Sequence, residues 1–525
     1  MGCSGPIPNA PLRVYSILSC EVTERLCYYG VRAVLVLFLL SLGFSESAAV
    51  ALSSYWIALC YLSPLLGAVL SDLSWGRFRT ILVFTCLYVC GMVLLTVGAA
   101  LGSTPAAFLG LGLVALGAGG IKPCVGPFGA DQLQLGSSSS SATTSYWMIF
   151  YLCINLGSLV SYFSVPLLRA RYGFAVALAL PAASMAVSAV VFLLPHKAYT
   201  QVPPAGSALV GVWRVLLAVT LFPSKASSSS SSSSNNTSSN TSSSTAATAA
   251  STTDSERIPL VLRAEEGSAS SQLVPAAAAP LPYAFLERAR GAPGVTQEDL
   301  LTSAALYRLL PFFALLPAFW AVYDSHSSVF LLQARRMGLC LGSSGSSPCL
   351  AADQVSVLNP LLVVTLVPLI DAYILPALAR LPPGHWLHPS PLRRMSGGMF
   401  LATAAFAITG ALQQTLQAGR PLHVAWQLPQ YLLLALAEVG VSATGLEFFS
   451  GEAPPAARSC VLALFFLTTA LGDLLNGVLY SAAGGVGLAA LVWAVTAMCA
   501  AASLAFAVLA ARYVPVAARA GQGVL

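Results

Sequence analysis

The chain has 525 residues, of which 57% are hydrophobic and 8% charged, with a mean hydropathy of +0.78. A soluble globular domain carries about 25% charged residues, so the composition excludes that class and marks a polytopic membrane protein whose first partner is the lipid bilayer. The net charge of +6 comes from bases scattered through short loops beside apolar segments, which argues against a nucleic-acid partner.

The first apolar stretch contains Glu21-Val-Thr-Glu24-Arg25-Leu-Cys-Tyr28-Tyr29-Gly30-Val-Arg32. It is span-length and ionic, so it is not read as a cleavable signal peptide. At about 100° of helix per residue, Glu21, Arg25, Tyr28 and Arg32 fall within roughly 60° of one another, and Glu24 and Tyr29 flank the same stripe. Isolated charge inside a membrane costs several kcal/mol. The pattern therefore predicts a span whose ionic face looks into a wet cavity, with Val22, Leu26, Val31, Ala33, Val34 and Leu35 meeting lipid on the other side. A transporter is the class this implies.

At the end of the second span, Gly67 to Arg79 brings together Asp72, the glycine turn at Gly76, and the bases Arg77 and Arg79. The string resembles the loop signature of the major facilitator superfamily. Physically it reads as a charge latch at a helix end, paired in one conformation and released in another. The fourth span ends in Leu116-Gly-Ala-Gly-Gly-Ile-Lys122-Pro-Cys-Val-Gly-Pro-Phe-Gly-Ala-Asp-Gln132, where glycines permit close helix approach around a buried lysine. The fifth carries Phe150-Tyr151-Leu-Cys-Ile-Asn155-Leu-Gly157-Ser158, with a phenol and an amide one helical turn apart.

Apolar windows of span length recur about twelve times, centred near residues 30, 60, 90, 115, 155, 185, 313, 366, 404, 436, 470 and 498. The sequence thus predicts an all-α polytopic membrane protein with about 12 transmembrane helices in two six-helix bundles. The division is 1–196 for the N-terminal bundle, 197–302 for a linker, and 303–525 for the C-terminal bundle. The linker holds the run Ser227–Ser234 and repeats of Asn, Thr and Ala, too polar to bury a core, and reads as largely disordered. Tyr283–Arg290 and Gln297–Leu300 within it have the character of a surface helix.

With the N-terminus inside, Arg13, Arg77, Arg79, Lys197, Arg214, Arg380, Arg393, Arg394, Arg458, Arg512 and Arg519 face the cytosol. Arg169, Arg171, Arg335, Arg336 and Arg420 face the other side. The imbalance predicts cytosolic termini and a cytosolic linker, whose sequons at Asn236 and Asn240 stay unglycosylated. The twelve cysteines show no CxxC pair and no metal-ligand spacing. Cys340 and Cys349 share one polar loop and pair only if that loop faces an oxidising compartment. No nucleophile, base and orienting group occur together, and Gly117-Ala-Gly119-Gly120 follows a span and not a strand. Neither an enzyme nor a cofactor is expected.

Six strings resemble the proton-dependent oligopeptide transporter family: Glu21–Gly30 with Arg32, Tyr61–Asp72, Gly117–Gln132, Phe150–Ser158, Phe319–Gln333 and Gln427–Phe448. The resemblance implies symport of protons with di- or tripeptides through a cavity between the bundles. It implies that Glu21, Glu24 and Arg25 take part in proton coupling and that Arg32 and Lys122 hold the peptide carboxylate. It further implies that Tyr28, Tyr29, Tyr61, Asn155, Trp320 and Asn359 line the peptide, that Glu438 meets its amino group, and that Asp324 is an acidic proton switch. Independently of the family, a peptide is a dipole, so cations in one bundle and an acid in the other select it by its ends. Coupling then requires shared partners: Arg25 with Glu21 or Glu24, and Lys122 with Glu438 or Asp324 across the bundle interface. The alternative for each is a static buried ion pair.

The chain also departs from the family pattern. Asp324 is followed by Ser325-His326-Ser327-Ser328 where relatives commonly have Gln-Gln-Gly-Ser, and the missing glycine is expected to stiffen the helix. His326 either titrates within the span and shares the proton role or is solvated near the span end. Ser54 stands where animal-type members often carry a histidine, and Phe465 where a cavity tryptophan is expected. Asp473 is either a second proton site or a carboxylate paired at the cavity edge. Asp371 and Glu447 are assigned to gate or loop pairing, and Trp56, Trp147 and Tyr373 to interface belts. A nitrate or plant-metabolite carrier of the same fold, and a transporter-like sensor or scaffold, are the competing functions. Tyr323, where nitrate carriers place a histidine, and the retained Asp324, Lys122 and Glu438 favour peptide. The plasma membrane is the expected location, with an acidic organelle as the alternative.

Overall fold

The computed structural model describes residues 11–134, 140–204, 208–221, 285–290, 292–340, 349–382, 385, 388–453, 458–482 and 485–514. The first six spans are α1 (Leu12–Ser41), α2 (Glu46–Leu70), α3 (Gly76–Leu101), α4 (Thr104–Gln134), α5 (Ser140–Tyr172) and α6 (Phe174–Leu193). A short helix α7 (Ala208–Leu221) precedes span seven, which is α8 (Gln297–Asp324) continued by α9 (Val329–Ala334). Spans eight and ten are each split by a π-helical segment, into α10 (Leu358–Leu369) and α11 (Leu375–Ala379), and into α13 (Leu428–Glu438) and α14 (Thr444–Glu452). Spans nine, eleven and twelve are α12 (Pro391–Gln417), α15 (Arg458–Ala482) and α16 (Leu488–Arg512).

Among the described residues, ten stretches are long and apolar enough by composition to cross a bilayer, one of which, Glu46–Leu101, holds both α2 and α3. Dividing it and adding α1 gives twelve. α1 escapes a hydropathy criterion because Glu21, Glu24, Arg25 and Arg32 interrupt it. The chain turns between α2 and α3 at Gly76, whose φ of +70° is accessible to glycine with little strain.

Helices α1 to α6 pack on one another, as do α8 to α16, and the longest seam between the two groups runs along α2 and α15. Close approach depends on small residues. A Cβ at Gly120 would stand 1.9 Å from Phe84 Cγ, and one at Gly157 would stand 2.5 Å from Val22 O on α1. The second contact seats α5 on α1 beside Arg25, whose Cβ would stand 2.7 Å from the same added atom.

Three expectations are corrected here. α1 presents little of its expected apolar face: Val31, Ala33, Val34 and Leu35 are buried and Val22 and Leu26 half-buried, because α2, α4, α5 and α6 surround it. Span seven is broken and not stiffened after Asp324, where Ser325–Ser327 form a 3-10 turn. The serine hydroxyls drive this by bonding back to carbonyls, Ser325 Oγ to Ala321 O (2.7 Å) and Ser327 Oγ to Asp324 O (2.9 Å). Trp56 is buried, not a belt residue, and its indole N–H donates to Leu111 O at 3.0 Å.

The serine run 227–234 and the sequons at Asn236 and Asn240 lie outside the described residues. Of the remaining linker, Leu286–Ala289 form a 3-10 turn, and α8 begins at Gln297 with a capping box between Thr296 and Asp299. The unanticipated helix α7 packs Val215 and Ala218 against Leu286, Ala289, Leu300 and Ala304.

Candidate functional site

The stripe on α1 makes two ionic clusters. In the first, Arg25 pairs through Nε with Glu21 at 3.1 Å and through Nη2 with Glu24, all three buried. Lys122, carried on α4 beside the glycine packing, points at the same cluster. Its Nζ lies 4.0 Å from the ring centroid of Tyr28 and 4.1 Å from that of Tyr61, and it meets no hydrogen-bond partner. The two aromatic faces stabilise the ammonium electrostatically without neutralising it. Tyr28 is held by stacking on Trp56, with centroids 5.6 Å apart.

In the second cluster Arg32 leaves the first bundle and reaches α8. Its Nη2 pairs with Asp324 Oδ1, and its Nε donates to Ser327 Oγ at 3.1 Å. Both charged residues are 3% exposed. Sequence reasoning links Lys122 to Asp324 or Glu438; the structure instead gives Asp324 to Arg32 and leaves Lys122 on its aromatic pair. The cause is the 3-10 turn, which places Ser327 and the Asp324 carbonyl, a further acceptor for Nη2 at 3.3 Å, around one guanidinium fork.

Glu438 sits at the end of α13, where the helix passes into a π segment. Its Oε2 accepts from Asn359 Nδ2 at 3.3 Å, and the same amide donates to Tyr323 OH at 3.2 Å. Glu438, Asn359, Tyr323 and His326 from the second bundle face Tyr29, Arg32, Tyr151, Asn155, Ser158 and Tyr162 from the first across a single cleft.

The structure thus brings together Tyr29, Arg32, Asn155, Asn359 and Glu438, with Asp324 behind Arg32. Lys122, Tyr28 and Tyr61 form an adjoining layer, with Glu21, Glu24 and Arg25 on the side of Tyr28 away from Arg32 along α1. Trp320 is turned away from the cleft: its indole N–H donates to Thr468 Oγ1 at 3.0 Å, and its ring packs on Phe465. His326 is buried in the cleft wall, with Nδ1 2.5 Å from Tyr323 O, and not solvated at the span end. Asn155 Nδ2 donates to the Tyr151 backbone carbonyl at 2.9 Å. Tyr162 and Ser158 were not singled out from sequence as a set, yet Tyr151, Asn155, Ser158 and Tyr162 follow the i, i+4, i+7, i+11 spacing of one helix face.

Among the described residues, ion pairs between the bundles lie at mid-depth or at the end remote from the N-terminus. Beyond Arg32–Asp324 there are Arg169 Nε and Nη2 to Asp353 Oδ2 and Oδ1 (2.6 and 2.8 Å) and Arg336 to Glu46 (2.6 Å). Cys340 and Cys349 form a disulfide at that remote end. At the end near the N-terminus, the pairs Arg77–Asp131, Arg308–Glu452 and Arg394–Glu447 each stay within one bundle. The expected latch base Arg77 therefore takes Asp131 and not Asp72, while Glu447 shows the expected loop pairing. Among the described residues the ion pairs that clamp the bundles together lie at one end only, an asymmetry suited to alternating access.

A model of the POT family, PTR2, matches residues 78–486. The chain is 33% identical to human Solute carrier family 15 member 2 over 84% of its own length and 54% of that protein's. It is 31% identical to Protein NRT1/ PTR FAMILY 8.3 of Arabidopsis thaliana over 88% of its own length and 82% of that protein's. The chain spans about half the length of the animal relatives it matches. A crystal structure of an auto-inhibited POT family peptide transporter superposes with a TM-score of 0.75 at 27% identity, covering 96% of this chain and 98% of that one.

Proposed function

We propose that this chain, which belongs to the POT family and is an integral membrane transporter and not an enzyme, is a proton-coupled symporter of di- and tripeptides. The observation that carries the reading is Arg32 on one bundle and Glu438 on the other lining one cleft whose far end is clamped shut. A dipeptide has a carboxylate and an ammonium at nearly fixed separation, and this pair of opposite charges meets both ends while leaving side chains little constrained. Arg32 and the unneutralised Lys122 take the carboxylate, Glu438 and Asn359 the ammonium, and Tyr29 and Asn155 the peptide between them.

Proton coupling follows from the same groups. Asp324 holds Arg32; a proton on Asp324 removes the attraction, frees the guanidinium for substrate and loosens a contact that joins the bundles. One proton supplies about 1.4 kcal/mol per pH unit and roughly 2.3 kcal/mol per 100 mV. The excess of bases near the N-terminal ends, and a disulfide at the opposite ends, support cytosolic termini in the plasma membrane, with bundles 1–196 and 303–525 rocking about the cleft.

Uptake of labelled dialanine into proteoliposomes, with and without an inward proton gradient, tests the reading. Acceleration by the gradient, competition by tripeptides and none by nitrate or histidine is the expected result. Competition by nitrate would transfer the chain to the anion-carrying branch suggested by its plant relatives, and binding without flux would make it a sensor.

A further inference from the structure

Span eleven carries an acid that the peptide reading does not use. Asp473 on α15 is 1% exposed, and neither of its carboxyl oxygens meets a hydrogen-bond donor. Its neighbours explain how it is placed. Gly472 fits so closely on α8 that a Cβ there would stand 2.5 Å from Pro317 O and 2.8 Å from Trp320 Cβ. One turn further along, Asn476 donates through Nδ2 to Ala321 O at 2.6 Å and Ser325 Oγ at 3.0 Å. These contacts clamp α15 onto the turn of α8 that ends at Asp324, and the carboxyl group of Asp473 faces that of Asp324 at hydrogen-bonding range.

Asp324 gives Oδ1 to Arg32, and its Oδ2 also lacks a donor. From the helices packed around Asp473, the other charged or titratable groups that face it are Arg32 of α1, Lys122 of α4 and Cys60 of α2. Arg32 is taken by Asp324, and Lys122 sits over its aromatic rings without a hydrogen bond to either acid, so among the described residues no cation is in contact with Asp473. Two carboxylates in contact, both buried and with no donor between them, repel unless a proton sits on one of them.

We propose that Asp473 and Asp324 form a single acid pair that holds one proton between them while Arg32 is docked, which makes Asp473 a second proton-coupling residue. The link to transport rests on the symport reading above. With one proton the pair carries one negative charge, which Arg32 balances. A second proton brings the pair to neutrality, Arg32 loses its partner, and the guanidinium is released toward the cleft. The proton is carried jointly, so either carboxyl group can take up the second proton that frees Arg32.

Asp473→Asn keeps the shape and offers its amide to Asp324 Oδ2, so the pair no longer needs the shared proton. Infrared difference spectra of the reconstituted full chain near neutral pH are expected to lose one protonated-carboxyl band in Asp473→Asn, and the same band in Asp324→Asn. In Asp473→Asn one proton on Asp324 still neutralises the site, as the second proton does in the parent, so the pH dependence of dialanine uptake is expected to persist while the shared proton is gone. Asp473→Glu is expected to restore the band. An unchanged band in Asp473→Asn overturns the proposal and leaves Asp473 a packing residue. If Asp473→Asn does not accumulate, the band in Asp324→Asn alone decides, since its persistence there excludes the pair. The infrared signal needs no transport, so a wild-type protein that has the band but takes up no dialanine overturns the symport reading alone.

Discussion

On the proposed function Arg32 has two suitors, the Asp324 carboxylate that holds it in the structure and the substrate carboxylate. Its fork makes contacts with Asp324 and Ser327 at once. A lysine would bring a point charge without that fork. Arg32→Lys is expected to raise the KM for dialanine about tenfold or more, the equivalent of one lost charge-assisted hydrogen bond, measured in the proteoliposome assay. Arg25 differs because it has two acids. Glu24→Gln removes one charge but leaves Glu21 at 3.1 Å to hold the guanidinium. It is expected to abolish gradient-driven accumulation while sparing counterflow exchange, and equal loss of both would identify a static ion pair.

At the scale of the helix, close packing positions the ionisable groups more than propensity does. Gly120 sits against the ring of Phe84, whereas Gly112 on the same helix has nothing within 4 Å of a built Cβ. Gly112→Ala is expected to leave stability unchanged or raise it by up to about 1 kcal/mol. Gly120→Ala is expected to cost roughly 1–3 kcal/mol through overpacking and to displace Lys122. Thermal unfolding in detergent, read by tryptophan fluorescence, separates the two. The glycine string was legible as a close-approach motif because its chemistry is local. The 3-10 break after Asp324 was not, since the effect of Ser325 and Ser327 depends on which carbonyls their hydroxyls find.

For the molecule as a whole, the proposed alternating access makes the clamp at the end remote from the N-terminus the contact expected to set the balance between states. Asp353 is fully buried and Arg169 about one-fifth exposed. Arg169→Ala would leave an uncompensated carboxylate in the clamped state, at a cost of order 2 kcal/mol after allowing for that exposure. The expected outcome is a shift toward separation of the two bundles at this end. Spin labels on cysteines placed at Leu101 and Gln417, in a background lacking the exposed Cys86 and Cys90, should report a longer distance in the variant than in the parent.

Sequence alone determined the number and order of the spans and the ionic stripe of α1. It also determined that cations and acids from distant parts of the chain must share a hydrated interior, because hydropathy and helical spacing are local properties and membrane burial of charge is costly. Only the tertiary structure decided who pairs with whom. Arg32 and Asp324 lie 292 residues apart in the chain, and whether Asp324 meets Arg32 or Lys122 depends on how two bundles dock and which end is closed. The lipid face assigned to α1 failed for the same reason: periodicity says which residues share a side of a helix, and the packing of its neighbours says what that side touches.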